Sequence, residues 1–410
     1  MSLLSSSRIG LAAIALLAGG ASSADAPGLG TQIELRAFCP PGFELAEGNR
    51  CELRTLYQNY DSLRHAGVGG PMTGLPTPRD GYSPEQIDLG RYLFFDPMLS
   101  ADNTMSCASC HHPDLGFADG RTRSRGIGGV EVTRAAPSLW NVAFLSSFFW
   151  DGRASSLEEQ MLGPLYDAAE MGSSPAALLE ELRASDEYVR LFREAFPDDG
   201  GLPTLDMLYA SITAFQTTLV SLNSRYDRYA HGFHDALSDN EKAGMNVFRS
   251  FVARCAECHT PPLFTNQQIA VIGVPDPDEV PFDAGAQNVT GNPGLRGGFK
   301  VPSLRNVART PPYMHSGAFA ELRDAAEFYT LGRGHALPDE ERERMTVHWH
   351  IWEPELSDAE LDRLVDFLKT LTDESFKPDI PESVPSGLAP IGTLPDAFAS
   401  RSVSDIQITH

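Results

Sequence analysis

The chain has 410 residues, of which 32 are basic and 55 acidic, so its formal net charge is −23. This length allows two or three domains, and an apolar fraction of 42% is ordinary for a soluble protein. So acidic a chain argues against nucleic acid or an anionic membrane surface as its partner.

The N-terminus predicts a secretory signal peptide over residues 1–26. Arg8 precedes an apolar run from Ile9 to Leu17, and small residues follow. The run is too short to span a bilayer, and no other segment of the sequence reaches that length. Cleavage would release a soluble protein outside the cytoplasm, which predicts a periplasmic protein without a membrane span. A retained N-terminal anchor is the alternative.

Residues 27–80 are rich in Gly and Pro and lack a helical period, so we predict an N-terminal extension. Two of the six cysteines, Cys39 and Cys51, lie in this extension. In an oxidising compartment two such neighbours are expected to pair. We therefore predict a Cys39–Cys51 disulfide, which would close a short loop.

The rest of the chain shows helical patterns and no strands beyond short pairs. Ser83 followed by Pro84 is a typical helix start, and the first helix should end at Phe95. Ser238–Glu241 resembles a capping box that opens a helix over 239–252. Further helices are predicted at 155–163, 175–184, 186–196, 204–222, 319–331 and 357–371. The long stretch 260–300 is expected to be mostly loop, and the tail 377–410 to lie extended over the surface.

Two copies of the motif C-x-x-C-H, at Cys107–His111 and Cys255–His259, are separated by 148 positions. Each is the attachment signature of a c-type haem, in which two cysteines form thioethers and the histidine ligates iron. The attachment residues are Cys107, Cys110, His111, Cys255, Cys258 and His259. A zinc site is the first alternative, but neither half has a fourth ligand at regular spacing. A thioredoxin-type redox pair is the second, but no strand precedes either motif.

The spacing predicts two cytochrome c-like haem domains in a mainly α fold with long loops. We place the N-terminal haem domain at 81–235 and the C-terminal haem domain at 236–376. A helix followed by the motif occurs in both halves, and we find little further similarity between them. This predicts that the halves have diverged in role.

Further motifs resemble those of the bacterial di-haem cytochrome c peroxidase and MauG superfamily, from about residue 82 to 372. The segments that carry the resemblance, besides the first haem motif, are Leu89–Pro97, Pro137–Asn141, Phe149–Arg153, Glu170–Met171, Leu304–Val307 and Pro312–Gly317. They are long, ordered and correctly spaced. The resemblance implies an enzyme with two covalently bound haems c that acts on hydrogen peroxide.

In that family the N-terminal haem is the peroxide site. Gln160 and Glu170 match its polar distal residues, and Pro164 lies between them at the matching spacing. Splitting the peroxide O–O bond requires a proton to move between the oxygens, which a carboxylate can do as general acid and base. The alternatives are a surface carboxylate for Glu170 and a solvated helix face for Gln160.

The family's peroxidases have an upstream histidine that can close this haem in the resting state. The aligned position is near Ile127, in a stretch without histidine, and His112 is too close to His111 to reach round. The resemblance therefore implies an open haem, as in MauG-like members. Trp150 matches an aromatic residue between the haems that could relay electrons, with a core tryptophan as the alternative.

The resemblance also implies a sixth ligand for the second haem, which is methionine in the cytochrome c peroxidases and tyrosine in MauG-like enzymes. The register from His315 places this residue at Tyr329. Three other residues share its predicted helical face: Leu322, Ala325 and Ala326. The alternatives are a core role for Tyr329 and Met314 as the ligand.

A calcium ion often lies between the haems in this family. The matching carbonyl positions, Thr310 and Pro312, are retained, but Ala135 stands where the family has an asparagine ligand. Water could replace one oxygen ligand. Calcium is therefore expected only as a possible second cofactor.

A tyrosine ligand would favour ferric and higher states, whereas a thioether raises the potential. We therefore favour a MauG-like enzyme, closer to MbnH-like members, which oxidises a partner protein with hydrogen peroxide. The alternative is a cytochrome c peroxidase that takes electrons from a small cytochrome c or a cupredoxin. A non-catalytic electron carrier would need both irons closed, and the absence of a histidine near Ile127 argues against it.

Overall fold

A computed structural model of the protein describes residues 32–59, 74–277 and 280–392. The predicted signal peptide and the last 18 positions of the predicted tail lie outside these ranges. The described residues from Leu35 onward belong to one compact unit. Within the described ranges, no helix is both long and apolar enough to cross a membrane.

The described part of the chain is mainly helical, as predicted. Its α-helices are α1 (Pro84–Phe95), α2 (Cys107–Cys110), α3 (Leu157–Tyr166), α4 (Pro175–Ala184), α5 (Asp186–Ala195), α6 (Leu205–Thr217), α7 (Arg225–Ala230), α8 (Asp239–Phe248), α9 (Cys255–Cys258), α10 (Ala286–Thr290), α11 (Leu322–Glu327), α12 (Asp339–Arg344) and α13 (Asp358–Lys369). Two antiparallel strand pairs join β1 (Phe43–Ala46) to β2 (Arg50–Leu53) and β3 (Ile269–Val271) to β4 (Gly298–Lys300).

The predicted helices are present, and their ends differ where local hydrogen bonds compete with the helix. The helix predicted over 204–222 stops at Thr217, where the Thr217 and Thr218 hydroxyls donate to carbonyls three residues back. The helix predicted over 239–252 stops at Phe248, and the chain then turns to a left-handed Arg254. The short helices α7, α10 and α12 were not predicted, because one or two turns carry too little periodicity.

Each half contains a pair of helices that cross at a glycine. A Cβ on Gly90 of α1 would lie 1.8 Å from the backbone oxygen of Ser211 in α6. In the same way, a Cβ on Gly244 of α8 would lie 1.8 Å from the backbone oxygen of Arg363 in α13. Both crossings therefore require glycine, and the two halves are built on the same contact.

The halves also share a loop, so the prediction of little further similarity between them is wrong. Pro137–Ala143 and Pro302–Ala308 differ in sequence at one position. In each loop a serine hydroxyl donates to a backbone carbonyl, Ser138 to Gly116 at 2.7 Å and Ser303 to Leu263 at 2.6 Å. Sequence comparison at the offset of the haem motifs misses this match, because the second half holds a longer insertion before the loop.

The N-terminal extension is anchored to both halves. The predicted Cys39–Cys51 disulfide is present, and Cys51 packs in a core cluster with residues of α1 and α6. Further along, the Tyr57 hydroxyl donates to Asp227 of α7 and accepts from Arg305 of the second half at 3.2 Å. Asp227 also pairs with the fully buried Arg305 through two hydrogen bonds of 2.6 and 2.7 Å.

The tail residues 377–392 contain no helix or strand, yet they are less superficial than predicted. Val384 is 3% exposed and lies in the core cluster of the first half. The Ser386 hydroxyl donates to Asp96 at 2.7 Å, and the Ile391 amide donates to the Phe95 carbonyl at 3.0 Å. The tail therefore closes the first half as part of its core.

Candidate haem and peroxide site

One cavity of about 590 Å³ is lined by both C-x-x-C-H motifs. The lining includes the predicted attachment residues Cys107, Cys110, His111, Cys255, Cys258 and His259. This volume lies within the range of cofactor sites. None of the four cysteines is paired with another.

The two motif histidines are held in the form that binds iron. His111 Nδ1 lies 2.9 Å from the Phe117 carbonyl, and His259 Nδ1 lies 3.1 Å from the Phe264 carbonyl. A donating Nδ1–H leaves the Nε2 lone pair for a metal. Burial lowers the pKa of His111, and it lowers that of His259 to about 4, so burial favours the neutral form of both rings.

The cysteines of the motifs are poor nucleophiles. Burial raises the pKa of the Cys107, Cys110 and Cys255 thiols to about 12. A thiol that keeps its proton is a poor nucleophile and does not exchange disulfides readily. The donor set therefore fits thioether attachment of a haem beside each neutral histidine.

Helix α3 presents two of the predicted distal residues to this cavity. Gln160 and Pro164 lie one turn apart on the same helical face, and both line the cavity. Glu170 lines it from the following turn, where the Met171 amide donates to the Pro164 carbonyl at 3.0 Å. The structure thus brings Gln160, Pro164 and Glu170 together on the side of the first motif.

The Glu170 carboxyl is in a setting that favours its protonated form. Burial raises its pKa, the negative charge of Asp167 raises it further, and Arg153 acts in the opposite direction. Its backbone is held by a close approach, since a Cβ on Gly126 would lie 1.8 Å from the Ala169 oxygen. The Ile127 amide also donates to the Glu170 carbonyl at 2.8 Å.

The segment that precedes these residues, 123–134, is a closed turn without histidine. The Val132 amide donates to the Ser124 carbonyl, and the Ser124 amide donates to the Arg134 carbonyl. His112 faces elsewhere: its Nδ1 accepts from the Asp114 amide, and its Nε2 lies 3.2 Å from the Gly392 carbonyl.

On the side of the second motif, Tyr329 and Met314 both line the cavity. Tyr329 follows α11 in a single 3-10 turn, Phe328–Thr330. Burial raises the pKa of its phenol, and the nearby thiols of Cys255 and Cys258 raise it further. Met314 lies in a left-handed turn with φ of 75°.

The shared loop places Pro164 and Tyr329 at equivalent positions. An offset of 165 positions relates Pro137 to Pro302, and the same offset relates the bridge Phe148–Ala154 to the bridge Tyr313–Phe319. The starts of α3 and α11 follow at the same offset. Continued along the chain, it pairs Pro164 with Tyr329. Alignment of the two halves at the offset of 165 positions would have shown from the sequence alone that Pro164 corresponds to Tyr329.

Trp150 lies at the junction between the halves. Its indole N–H donates to the Ala135 carbonyl at 2.8 Å, and the Ala135 amide donates to the His315 carbonyl at 2.8 Å. His315, which corresponds to Trp150 in the repeat, has its ring 6.5 Å from the indole. It stacks on Phe299 at 3.7 Å and faces Asp276 at 3.2 Å. In the sequence, His315 serves only to set the register of Tyr329, and no motif predicts its contact with Trp150.

Thr310 and Pro312, the predicted calcium positions, also line the cavity. In the described ranges, no three His, Cys, Asp or Glu side chains form a metal-binding group. Calcium remains a prediction.

Comparisons with known proteins agree with this geometry. A family model described as di-haem cytochrome c peroxidase matches residues 84–235. The chain is 36% identical over 301 residues to the methylamine utilization protein MauG of Methylorubrum extorquens, covering 73% of this chain and 82% of MauG. It is 38% identical over 247 residues to the cytochrome c551 peroxidase of Pseudomonas aeruginosa, covering 59% of this chain and 71% of that protein.

Solved structures show the same fold. A MauG-like protein associated with microbial copper homeostasis superposes with a TM-score of 0.68 at 33% identity, covering 75% of this chain and 97% of that one. The di-haem peroxidase BthA of Burkholderia thailandensis superposes with a TM-score of 0.63 at 30% identity, covering 75% and 90%. The chain therefore belongs to the di-haem cytochrome c peroxidase and MauG family of peroxide-using oxidoreductases, which implies two haems c.

Proposed function

We propose that this protein is a MauG-like peroxidase that uses hydrogen peroxide to oxidise a partner protein. The observation that carries the proposal is the pairing of Pro164 with Tyr329 in the repeat. When bound, a haem c supplies an iron that reacts with peroxide only where its sixth position is open. A proline side chain offers no ligand atom, whereas a tyrosine offers its phenol oxygen. The two equivalent positions therefore support one open and one closed site.

At the open site, Glu170 and Gln160 would handle the peroxide. The half-buried Glu170 carboxyl would give its proton to the peroxide oxygen that leaves as water and would take a proton from the other oxygen. The Gln160 amide would orient the peroxide by hydrogen bonding. Reduction of one hydrogen peroxide to two waters takes two protons and two electrons. The electrons would come from the partner.

At the closed site, Tyr329 would hold the iron of the second haem together with His259. A phenolate is a hard anionic donor that stabilises ferric iron. A site of this kind is a poor acceptor for electrons from ordinary cytochromes and is suited to oxidising a docked protein. Trp150, held between the halves by Ala135, would couple the two sites.

The alternative function is that of a cytochrome c peroxidase, which would reduce hydrogen peroxide with electrons from a small cytochrome c or cupredoxin. The observation that favours it is Met314, which lines the same cavity as Tyr329. A thioether ligand would raise the potential of the second site.

We also propose that the protein works in the periplasm, because of the predicted signal peptide and the disulfide between Cys39 and Cys51. The net charge of −23 favours a protein partner over nucleic acid.

A calcium ion held by the Thr310 and Pro312 carbonyls would complete the cofactors, with water in place of the side chain missing at Ala135.

Electron paramagnetic resonance and optical spectra of the ferric holoenzyme test the assignment. We expect one high-spin and one low-spin signal, with the low-spin signal altered in Tyr329→Phe. Tyr313→Phe, at another tyrosine that lines the cavity, is the matched control and should leave it unchanged. A low-spin signal that changes in Met314→Leu instead would support the cytochrome c peroxidase. Two low-spin signals would indicate an electron carrier and overturn both proposals.

A further inference from the structure

Lys300 is a partly buried cation at the junction between the two halves. It ends β4, and its backbone N–H donates to the Trp150 carbonyl at 2.6 Å. The preceding residue, Phe299, stacks on His315. Lys300 lines the cavity that both C-x-x-C-H motifs also line.

Within the described ranges, no carboxylate, hydroxyl or carbonyl pairs with the Lys300 ammonium. Burial alone lowers its pKa to about 8, with no neighbouring charge acting on it. Arg134 lines the same cavity but has carboxylate partners, since it pairs with Asp151 at 2.7 Å and with Asp283 at 2.6 Å. A buried charge without a partner is costly, so such a residue is expected to meet an anion in the working protein.

The protein carboxylates around this junction are already engaged. Asp151 and Asp283 hold Arg134, and Asp276 faces His315. A haem c brings two propionate carboxylates that its thioether links and its axial ligands do not use. Lys300 lies two residues before Pro302, whose carbonyl is 3.2 Å from His259 Nδ1. This position associates Lys300 with the second haem.

We propose that Lys300 binds a propionate of the second haem and neutralises its charge at the junction with Trp150. The inference rests on the family's two haems and not on the MauG-like direction of the reaction. A free propionate carboxylate beside the haem stabilises the more positively charged ferric state. The Lys300 ammonium would offset part of this stabilisation. Loss of the lysine charge should therefore lower the reduction potential of the second haem.

The test is a spectroelectrochemical titration of the holoenzyme without peroxide or partner, so that its outcome is independent of the proposed function. Lys300→Met keeps the length of the side chain and removes its charge, whereas Lys300→Arg keeps the charge. Lys369→Met removes a more exposed lysine that pairs with Asp366 on α13 and serves as the matched control. We expect one of the two reduction steps to shift to lower potential in Lys300→Met only. Unchanged potentials in Lys300→Met would overturn the proposal.

A crystal structure of the holoenzyme gives a second test that does not depend on any variant folding. We expect Lys300 Nζ within about 3.2 Å of a propionate oxygen of the second haem. An ammonium group that faces solvent, a protein carboxylate or the first haem would overturn the assignment.

Discussion

Replacing Arg305 by methionine should destabilise the folded protein by about 3–5 kcal/mol, the range found when one partner of a buried ion pair is removed. Arg305 and Asp227 are both fully buried and form a bidentate pair with distances of 2.6 and 2.7 Å. The guanidinium also donates to the Pro262 carbonyl at 2.6 Å. Methionine would leave the carboxylate and this carbonyl without their strongest donors.

Tyr57→Phe provides an internal scale for this loss. The Tyr57 hydroxyl donates to Asp227, so its removal should cost about 1.5–3 kcal/mol, as for hydrogen bonds to charged groups. The smaller value is expected because the Arg305 charge still compensates the carboxylate. These contacts predict a larger loss of folding stability in Arg305→Met than in Tyr57→Phe.

The assay is guanidinium unfolding of the holoprotein, followed by far-ultraviolet circular dichroism. Arg323→Met removes an arginine that pairs with carboxylates at the surface and should cost less than about 1 kcal/mol. The double variant Arg305→Met/Asp227→Leu should be more stable than the sum of the single losses by about 0.5–3 kcal/mol. Additive losses, or a loss below about 1 kcal/mol in Arg305→Met, would refute the reasoning.

The same pair predicts a pH dependence. Burial alone would raise the pKa of Asp227, but the Arg305 charge and the hydrogen bonds from Arg305, Tyr57 and Ser224 hold it below its ordinary value of 3.8. The pair's stabilisation is therefore present above pH 3.8 and is lost as the pH falls through the lower folded-state pKa. Acid titrations should show a smaller loss in the double variant than in the natural protein.

Glu170→Gln should slow the reaction of the ferric enzyme with peroxide by about 10²–10⁴-fold in stopped-flow experiments, and an unchanged rate would remove Glu170 as the acid–base group. Because burial raises the pKa of Glu170, folding stability is lost as the pH rises from 4.5 through that pKa, and Glu170→Gln should abolish this loss. Gly244→Ala should cost about 3 kcal/mol or more by overpacking against Arg363, whereas exposed Asn246→Ala on the same helix should stay within about 0.5 kcal/mol. Val384→Ala should cost about 1.5 kcal/mol, and no loss of stability would show that the tail does not close the first half.

Features encoded by neighbouring residues could be predicted from the sequence. The haem motifs are contiguous, and the helices that begin at Pro84 and Asp239 have their capping boxes at Ser83 and Ser238. The Cys39–Cys51 pair was predictable because no other cysteines remained. In each case a short stretch of chain contains all the interacting groups.

Features that join distant residues were not predictable in the same way. The glycine crossings at Gly90 and Gly244 appear in the sequence only as two unremarkable helical glycines. The burial of Val384 depends on core residues between Phe94 and Leu219, which lie 165 to 290 positions earlier in the chain. His315 and Lys300 acquire their roles at the junction because they lie in segments that the sequence leaves without a period.

The sequence by itself determined the family, the two haem attachment motifs, the longer helices and the candidates Gln160, Glu170 and Tyr329, because these follow from local order and spacing. The tertiary structure alone decided that both motifs line one cavity and that Lys300 lines it, partly buried, without a counter-charge. It also made visible the repeat that pairs Pro164 with Tyr329, which was present in the sequence at an offset of 165 but not at that of the haem motifs. Burial and charge compensation depend on which distant segments meet, and only the folded chain specifies that.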